Sequence, residues 1–139
     1  MARRYRPALA AIALGPLLMV AAAGCARTHA KVSGRVVEDG QPYQPTGEVV
    51  QVVMTCAAPS VSVPATVQRD GTFKFYGTEG KGLPAGKYKI GIESDVESAP
   101  GVKKRIRGVA AQKSPMEIEL AGGESVTLTI DLVKHTLTR

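Results

Sequence analysis

The chain has 139 residues, with 18 Lys or Arg against 12 Asp or Glu, so its formal net charge is +6 at neutral pH. Three of the basic residues precede position 25, and the chain from there onward carries 15 basic and 12 acidic side chains, a net charge of +3. A balance this mild does not favour nucleic acid as a partner. The 115 residues from position 25 are enough for one domain with a core of ordinary size.

The first 24 residues have the parts of a bacterial export signal. A basic head, Met1–Arg6, precedes the apolar run from Ala8 to Val20, which Gly15 and Pro16 interrupt. This run of 13 residues is shorter than the roughly 20 that a spanning helix needs, and it fits the core of a cleaved signal peptide. Residues 1–24 are therefore predicted to be removed from the mature protein.

The four residues Ala22-Ala23-Gly24-Cys25 resemble the lipobox of bacterial lipoproteins, although that motif favours Leu where this chain has Ala22. The resemblance implies cleavage before Cys25 and attachment of acyl chains such as palmitate to it. Ala26 replaces the Asp that marks inner-membrane retention, which implies the outer membrane, facing the periplasm or the cell surface. The alternative is an ordinary secretory signal cut near Ala21–Ala23, with Cys25 left as a plain thiol.

Short strands with period-two alternation and almost no helical periodicity follow. The predicted strands are 32–37, 48–56, 66–68, 72–76, 87–92, 116–120 and 126–132. Asp39-Gly40 predicts a turn, Arg69-Asp70-Gly71 predicts a hairpin, and 57–64 is predicted to be a loop. The pattern predicts an all-β fold, a seven-stranded antiparallel β-sandwich over residues 32–134, between a tether at 25–31 and a C-terminal tail at 135–139.

Cys56 is the one cysteine inside the predicted domain, so no internal disulfide is expected when Cys25 is acylated. Alternation places Cys56 on the same inward face as Val50, Val52 and Met54. We therefore expect a small buried side chain, the commonest environment of a reduced cysteine. A reactive thiol or an intermolecular bridge is the alternative.

Three motifs together resemble the carboxypeptidase regulatory-like domain, a transthyretin-like (prealbumin-like) relative of the immunoglobulin-like sandwiches. They are Val32-Ser-Gly-Arg-Val-Val-Glu-Asp-Gly-Gln-Pro42, Asp70-Gly-Thr-Phe-Lys-Phe75 and Leu83-Pro-Ala-Gly-Lys-Tyr-Lys-Ile90. The whole chain is similar to small bacterial lipoproteins that carry this domain alone behind a lipobox. The resemblance implies the fold and no particular activity, because most such proteins have no assigned biochemical role.

Residues that could carry catalysis are sparse. The two histidines, His29 and His135, lie in the predicted tether and tail, and a metal site needs three or four converging ligands. No G-x-S-x-G nucleophile motif occurs. We therefore expect no enzyme activity, no metal and no cofactor.

The segment from Ser94 to Ser114 lacks clear periodicity and holds the four cations Lys103, Lys104, Arg105 and Arg107, called the basic loop below. Loops of this length are uncommon unless they are functional or disordered. The basic loop is predicted either to bind anionic lipid headgroups, an acidic glycan or a protein partner, or to be simply solvated.

The sequence as a whole predicts a lipid-anchored, non-enzymatic β-sandwich of the cell envelope. Its expected role is structural or in binding another envelope protein, with the membrane reached through the N-terminal lipid. The alternative is a glycan-binding module of the cell surface, which would use exposed aromatic side chains; the candidates are Tyr43 and Tyr76.

Overall fold

A computed structural model describes residues 29–57, 60–94, 110 and 113–139. The predicted signal segment 1–24, Cys25 and the basic loop (Lys103, Lys104, Arg105 and Arg107) lie outside the described residues. Within the described ranges, no helix is long and apolar enough to cross a membrane.

The described chain is almost entirely β-structure. Its strands are β1 (His29–Glu38), β2 (Gln41–Pro42), β3 (Val50–Cys56), β4 (Val61–Thr66), β5 (Thr72–Phe75), β6 (Leu83–Pro84), β7 (Gly86–Ser94), β8 (Glu117–Leu120), β9 (Ser125–Asp131) and β10 (Thr136–Thr138). One turn of 3₁₀-helix, Thr78–Gly80, lies between β5 and β6. Two sheets, rich in antiparallel pairs, pack as a sandwich, and the predicted fold class is confirmed.

The first sheet is organised around β1. One edge of β1 pairs with β9, which in turn pairs with β10. The other edge is covered in succession by three short strands: β6 beside His29 and Ala30, β5 beside the residues from Val32 to Arg35, and β2 beside Val37 and Glu38. The β1–β9 pair is parallel, with Lys31 opposite Ser125, which the prediction of a purely antiparallel sandwich did not include.

The second sheet has the order β4-β3-β7-β8, and all its pairs are antiparallel. Val52 on β3 lies between Ala65 and Ile92, so alternate residues of the three strands share one face. That face and the inner face of the first sheet form the core. Its largest fully buried side chains are Tyr88, Met54, Leu83, Ile90, Ile92, Leu120, Leu128, Ile130 and Leu132. Cys56 is 2 % exposed within this core, so the prediction of a buried side chain is confirmed.

The turn prediction at Asp39-Gly40 is confirmed. Glu38 pairs with Gln41 across it, and both turn residues have positive φ, 50° and 77°, as a two-residue type I′ hairpin requires. The hairpin prediction at Arg69-Asp70-Gly71 is wrong in its pairing. The turn forms, with the Gln68 N–H donating to the Thr72 carbonyl at 2.7 Å, but it connects β4 of the second sheet to β5 of the first.

Three boundaries differ from the predicted ones because paired neighbours extend the strands. β1 begins at His29, inside the predicted tether, since Ala30 pairs with Leu83 and is fully buried. β4 occupies much of the predicted loop 57–64 as an edge strand that tolerates Pro64. β10 forms within the predicted tail by pairing with β9.

Candidate functional site

The outer face of the first sheet carries polar side chains on three adjacent strands. Alternation turns Val32 of β1 and Phe73 of β5 inward, so their neighbours face solvent. Register then places Ser33 of β1 between Lys74 of β5 and Thr127 of β9. In the same way Arg35 lies between Thr72 and Thr129. We call the following set the basic face: Lys31, Ser33, Arg35, Thr72, Lys74, Tyr76, Thr127 and Thr129.

The cations of the basic face, Lys31, Arg35 and Lys74, are exposed, and none of them is within ion-pair distance of a carboxylate in the described part of the chain. The second sheet differs, because the Lys87 Nζ lies 2.7 Å from the Glu117 Oε2 on its outer face. The hydrogen bond that Lys87 donates to Glu117 raises the pKa of Lys87 and lowers the pKa of Glu117. Among the residues that the structure describes, Lys87 of the second sheet therefore has a carboxylate partner, whereas the cations of the basic face have none.

Tyr76 provides the one large aromatic surface of the basic face. Its side chain is 65 % exposed, and the Lys74 Nζ lies 5.4 Å from the centroid of its ring. This separation is within cation–π range, so the ammonium group and the ring hold each other in a partly fixed arrangement. Tyr76 was predicted to lie outside the core, and that prediction is confirmed.

The prediction that Tyr43 is an exposed aromatic side chain is wrong. It is only 6 % exposed, and its hydroxyl donates a hydrogen bond of 2.7 Å to the Glu48 Oε1. This bond lowers the pKa of Glu48. Tyr43 directly follows β2, at a point where the chain folds back over the core. The alternation of apolar and polar residues does not predict that the chain folds back here.

A shallow concavity of ≈ 550 Å³ crosses the basic face. It is lined by Ser33, Gly34, Arg35, Gln68, Thr72, Phe73, Lys74, Tyr76 and Thr127. Hydroxyl and cationic groups surround it. At its rim, Asp70 Oδ1 accepts hydrogen bonds from the Thr72 N–H (3.0 Å) and hydroxyl (2.6 Å), which lowers the pKa of Asp70.

The residues considered for catalysis do not converge. His29 opens β1 opposite Pro84, whereas His135 lies in the exposed turn between β9 and β10, with φ of 53°. Cys56 is buried near Tyr88, whose hydroxyl donates to the Pro84 carbonyl at 2.9 Å. Burial raises the pKa of Tyr88. No group of three or more His, Cys, Asp or Glu side chains in the described residues could hold a metal ion.

The cations of the basic face were missed at the sequence level, although one signal was present. On β1, buried residues alternate with Lys31, Ser33 and Arg35, and this pattern predicts one exposed polar face of the strand. The contributions of Lys74 and Thr127 depend on which strands neighbour β1, and that requires the tertiary register.

Comparison of the chain with models of known protein families finds no match, and no curated protein matches it.

Proposed function

We propose that this protein is a lipid-anchored, non-enzymatic binding module of the cell envelope, built on a carboxypeptidase regulatory-like β-sandwich. The observation that carries the proposal is the basic face, where three cations that have no ion-pair partner among the described residues surround hydroxyl groups and an exposed tyrosine. An excess of positive charge on an exposed sheet face favours association with a negatively charged partner. The resemblance of the N-terminal segment to a lipobox supports the anchored location.

The position of β1 determines which end of the sandwich the proposed anchor would hold near the membrane. Cys25 lies four residues before His29, where β1 begins, and four residues span at most about 14 Å. An acylated Cys25 would hold this end of the sandwich against the bilayer, in the outer membrane facing the periplasm or the cell surface. β7 starts at Gly86 near this end and finishes at Ser94, about 25 Å further along. The chain thus enters the segment that contains the basic loop at the end remote from the anchor.

The anchor is tested by the intact mass and detergent partitioning of the native protein and of Cys25→Ser. We expect a diacyl or triacyl mass on Cys25 and partitioning into detergent that the substitution abolishes. An unmodified, water-soluble native protein would contradict the lipid anchor and support the ordinary secretory signal.

Binding through the basic face is tested by sedimentation of the soluble Cys25→Ser protein with isolated cell envelopes. A face variant carries Lys31→Gln, Arg35→Gln and Lys74→Gln. A matched control carries Lys81→Gln, Lys87→Gln and Lys134→Gln, three lysines that contact carboxylates elsewhere. Both variants lose three positive charges. We expect the face variant to lose sedimentation and the control to retain it; equal behaviour of the two would contradict the proposal.

A protein-binding face and a glycan-binding face differ in the exposed side chains that they need. Protein interfaces concentrate their energy in buried aromatic and aliphatic anchors. The basic face has Tyr76 alone as an exposed large apolar side chain; the other two among the described residues, Val49 and Val133, are not part of it. This observation favours the glycan alternative.

A further inference from the structure

We propose that the partner of the basic face is an acidic polysaccharide, an extended glycan that carries carboxylate or phosphate groups along its length. This inference rests on the proposed function and adds the chemical class of the ligand. The spacing of the cations, the groups between them and the scarcity of apolar anchors support it.

The three cations form a broad triangle across β1 and β5. Lys31 and Arg35 lie on the same face of β1, four residues apart, which places their Cα atoms about 13 Å apart. Lys74 lies beside Ser33, midway between them on the neighbouring strand, at about 8 Å from each. The long side of this triangle follows the strand direction of β1. It fits a polymer in which acidic groups recur along the chain.

The surface between the cations suits sugar rings. Ser33, Thr127 and Thr129 present hydroxyl groups at adjacent register positions, and a hydroxyl can both donate and accept hydrogen bonds. The Thr72 hydroxyl donates to Asp70 and can still accept a hydrogen bond. Tyr76 presents a ring on which the apolar side of a sugar can pack, and the Lys74 ammonium group is held beside that ring. Stacking and charge pairing can therefore act on adjacent sugar units of one chain.

Charge alone would also attract anionic lipid headgroups. However, the basic face lacks the set of apolar side chains that membrane binding also uses. Interfacial binding draws on aliphatic and aromatic side chains that enter the boundary of the acyl chains. Serine and threonine occupy the positions between the cations, and Tyr76 is the single exposed apolar side chain of the face. We therefore commit to the polysaccharide and treat lipid and acidic protein as outcomes of the test.

The experiment measures binding of the full-length Cys25→Ser protein to carboxymethyl dextran and to unmodified dextran, which differ only in the acidic groups. We expect binding to carboxymethyl dextran alone, weakening as salt is raised from 50 to 500 mM. The triple face variant should lower the affinity by about 10- to 100-fold, because each exposed charge contact contributes a factor of about 2 to 5. The matched triple control should bind like the parent protein. Tyr76→Ala should weaken binding without changing its dependence on salt.

Two further ligands separate the alternatives. Polyglutamate represents an acidic polypeptide, and vesicles of phosphatidylglycerol represent an anionic membrane. Binding to either one as tight as to carboxymethyl dextran would overturn the polysaccharide assignment, as would equal losses in the face and control variants. If envelope sedimentation depends on the face while carboxymethyl dextran does not bind, this inference fails and the proposed function stands. If sedimentation does not depend on the face, both fail.

Discussion

Gly34 on β1 lies so close to Leu128 on β9 that a Cβ atom at Gly34 would be 2.2 Å from the Leu128 carbonyl oxygen and 2.6 Å from the Phe73 Cζ. The contact occurs in the parallel pair that joins the N-terminal and C-terminal parts of the first sheet. Neither the paired backbone nor a fully packed aromatic ring can move away easily. The absence of a side chain at Gly34 is therefore a condition of the β1–β9 pairing.

We expect Gly34→Ala to lower the free energy of unfolding by about 3 kcal/mol or more, because forcing an extra methyl group into packed structure strains the backbone. Urea denaturation gives the measurement. Gly47→Ala is the control: its Cβ would meet nothing within 4 Å, and φ of 86° should cost only about 1 kcal/mol. A loss at Gly34 no larger than at Gly47 would contradict the close approach.

The stability of the turn between β9 and β10 should depend on pH through the carboxyl group of Asp131. Its carboxylate accepts hydrogen bonds from the Lys134 N–H (3.0 Å) and the Val133 N–H (2.9 Å), and the bond from Lys134 is the main cause of its lowered pKa. A carboxyl group with a pKa lowered by folding stabilises the protein above its unfolded pKa, and this contribution is lost as pH falls through the folded pKa.

The difference in melting temperature between the parent protein and Asp131→Asn should therefore be largest near pH 7 and should shrink as pH falls below about 4. Thermal unfolding followed by circular dichroism at pH 7, 5 and 3 measures it. A difference that stays constant across this range would show that the charge of Asp131 is not what stabilises the turn.

The C-terminal residues 136–139 should stabilise the sandwich rather than form a loose tail. β10 covers the edge of β9, and the Arg139 guanidinium donates to the Glu119 carbonyl and lies 3.6 Å from the Glu124 carboxylate. Deleting residues 136–139 should lower the urea midpoint and speed hydrogen exchange along β9. Arg139→Ala alone should cost about 1 kcal/mol or less, since its side chain is 53 % exposed. Exchange in β9 that the deletion leaves unchanged would contradict the pairing.

Cys56 should behave as a core residue and not as a reactive thiol. We expect Cys56→Ser to destabilise the domain more than Cys56→Ala, because serine buries a hydroxyl group where the thiol is 2 % exposed. Urea denaturation compares the two variants, and alkylation under native conditions reports access to the thiol. Rapid modification of the folded protein by iodoacetamide would support the alternative of a reactive site.

The sequence by itself determined the class of fold and much of its local structure. Alternation of apolar and polar residues predicted the strands and the burial of Cys56, because which face a strand buries is set by neighbours two residues apart. Asp39-Gly40 predicted its turn since both positions need positive φ, which these residue types tolerate. The predictions for Cys25 and the basic loop also come from sequence alone, and they stay predictions.

The tertiary structure decided which strands are neighbours. The turn at Arg69-Asp70-Gly71 crosses between the sheets, as does the connection from β8 to β9, and β1 pairs in parallel with β9. Local chemistry reverses the chain at such turns but does not select the next partner, since that choice depends on hydrogen bonds and core packing between distant residues. Lys31, Lys74 and Thr127 become one face only through those pairings, so the candidate site could not be read from the sequence.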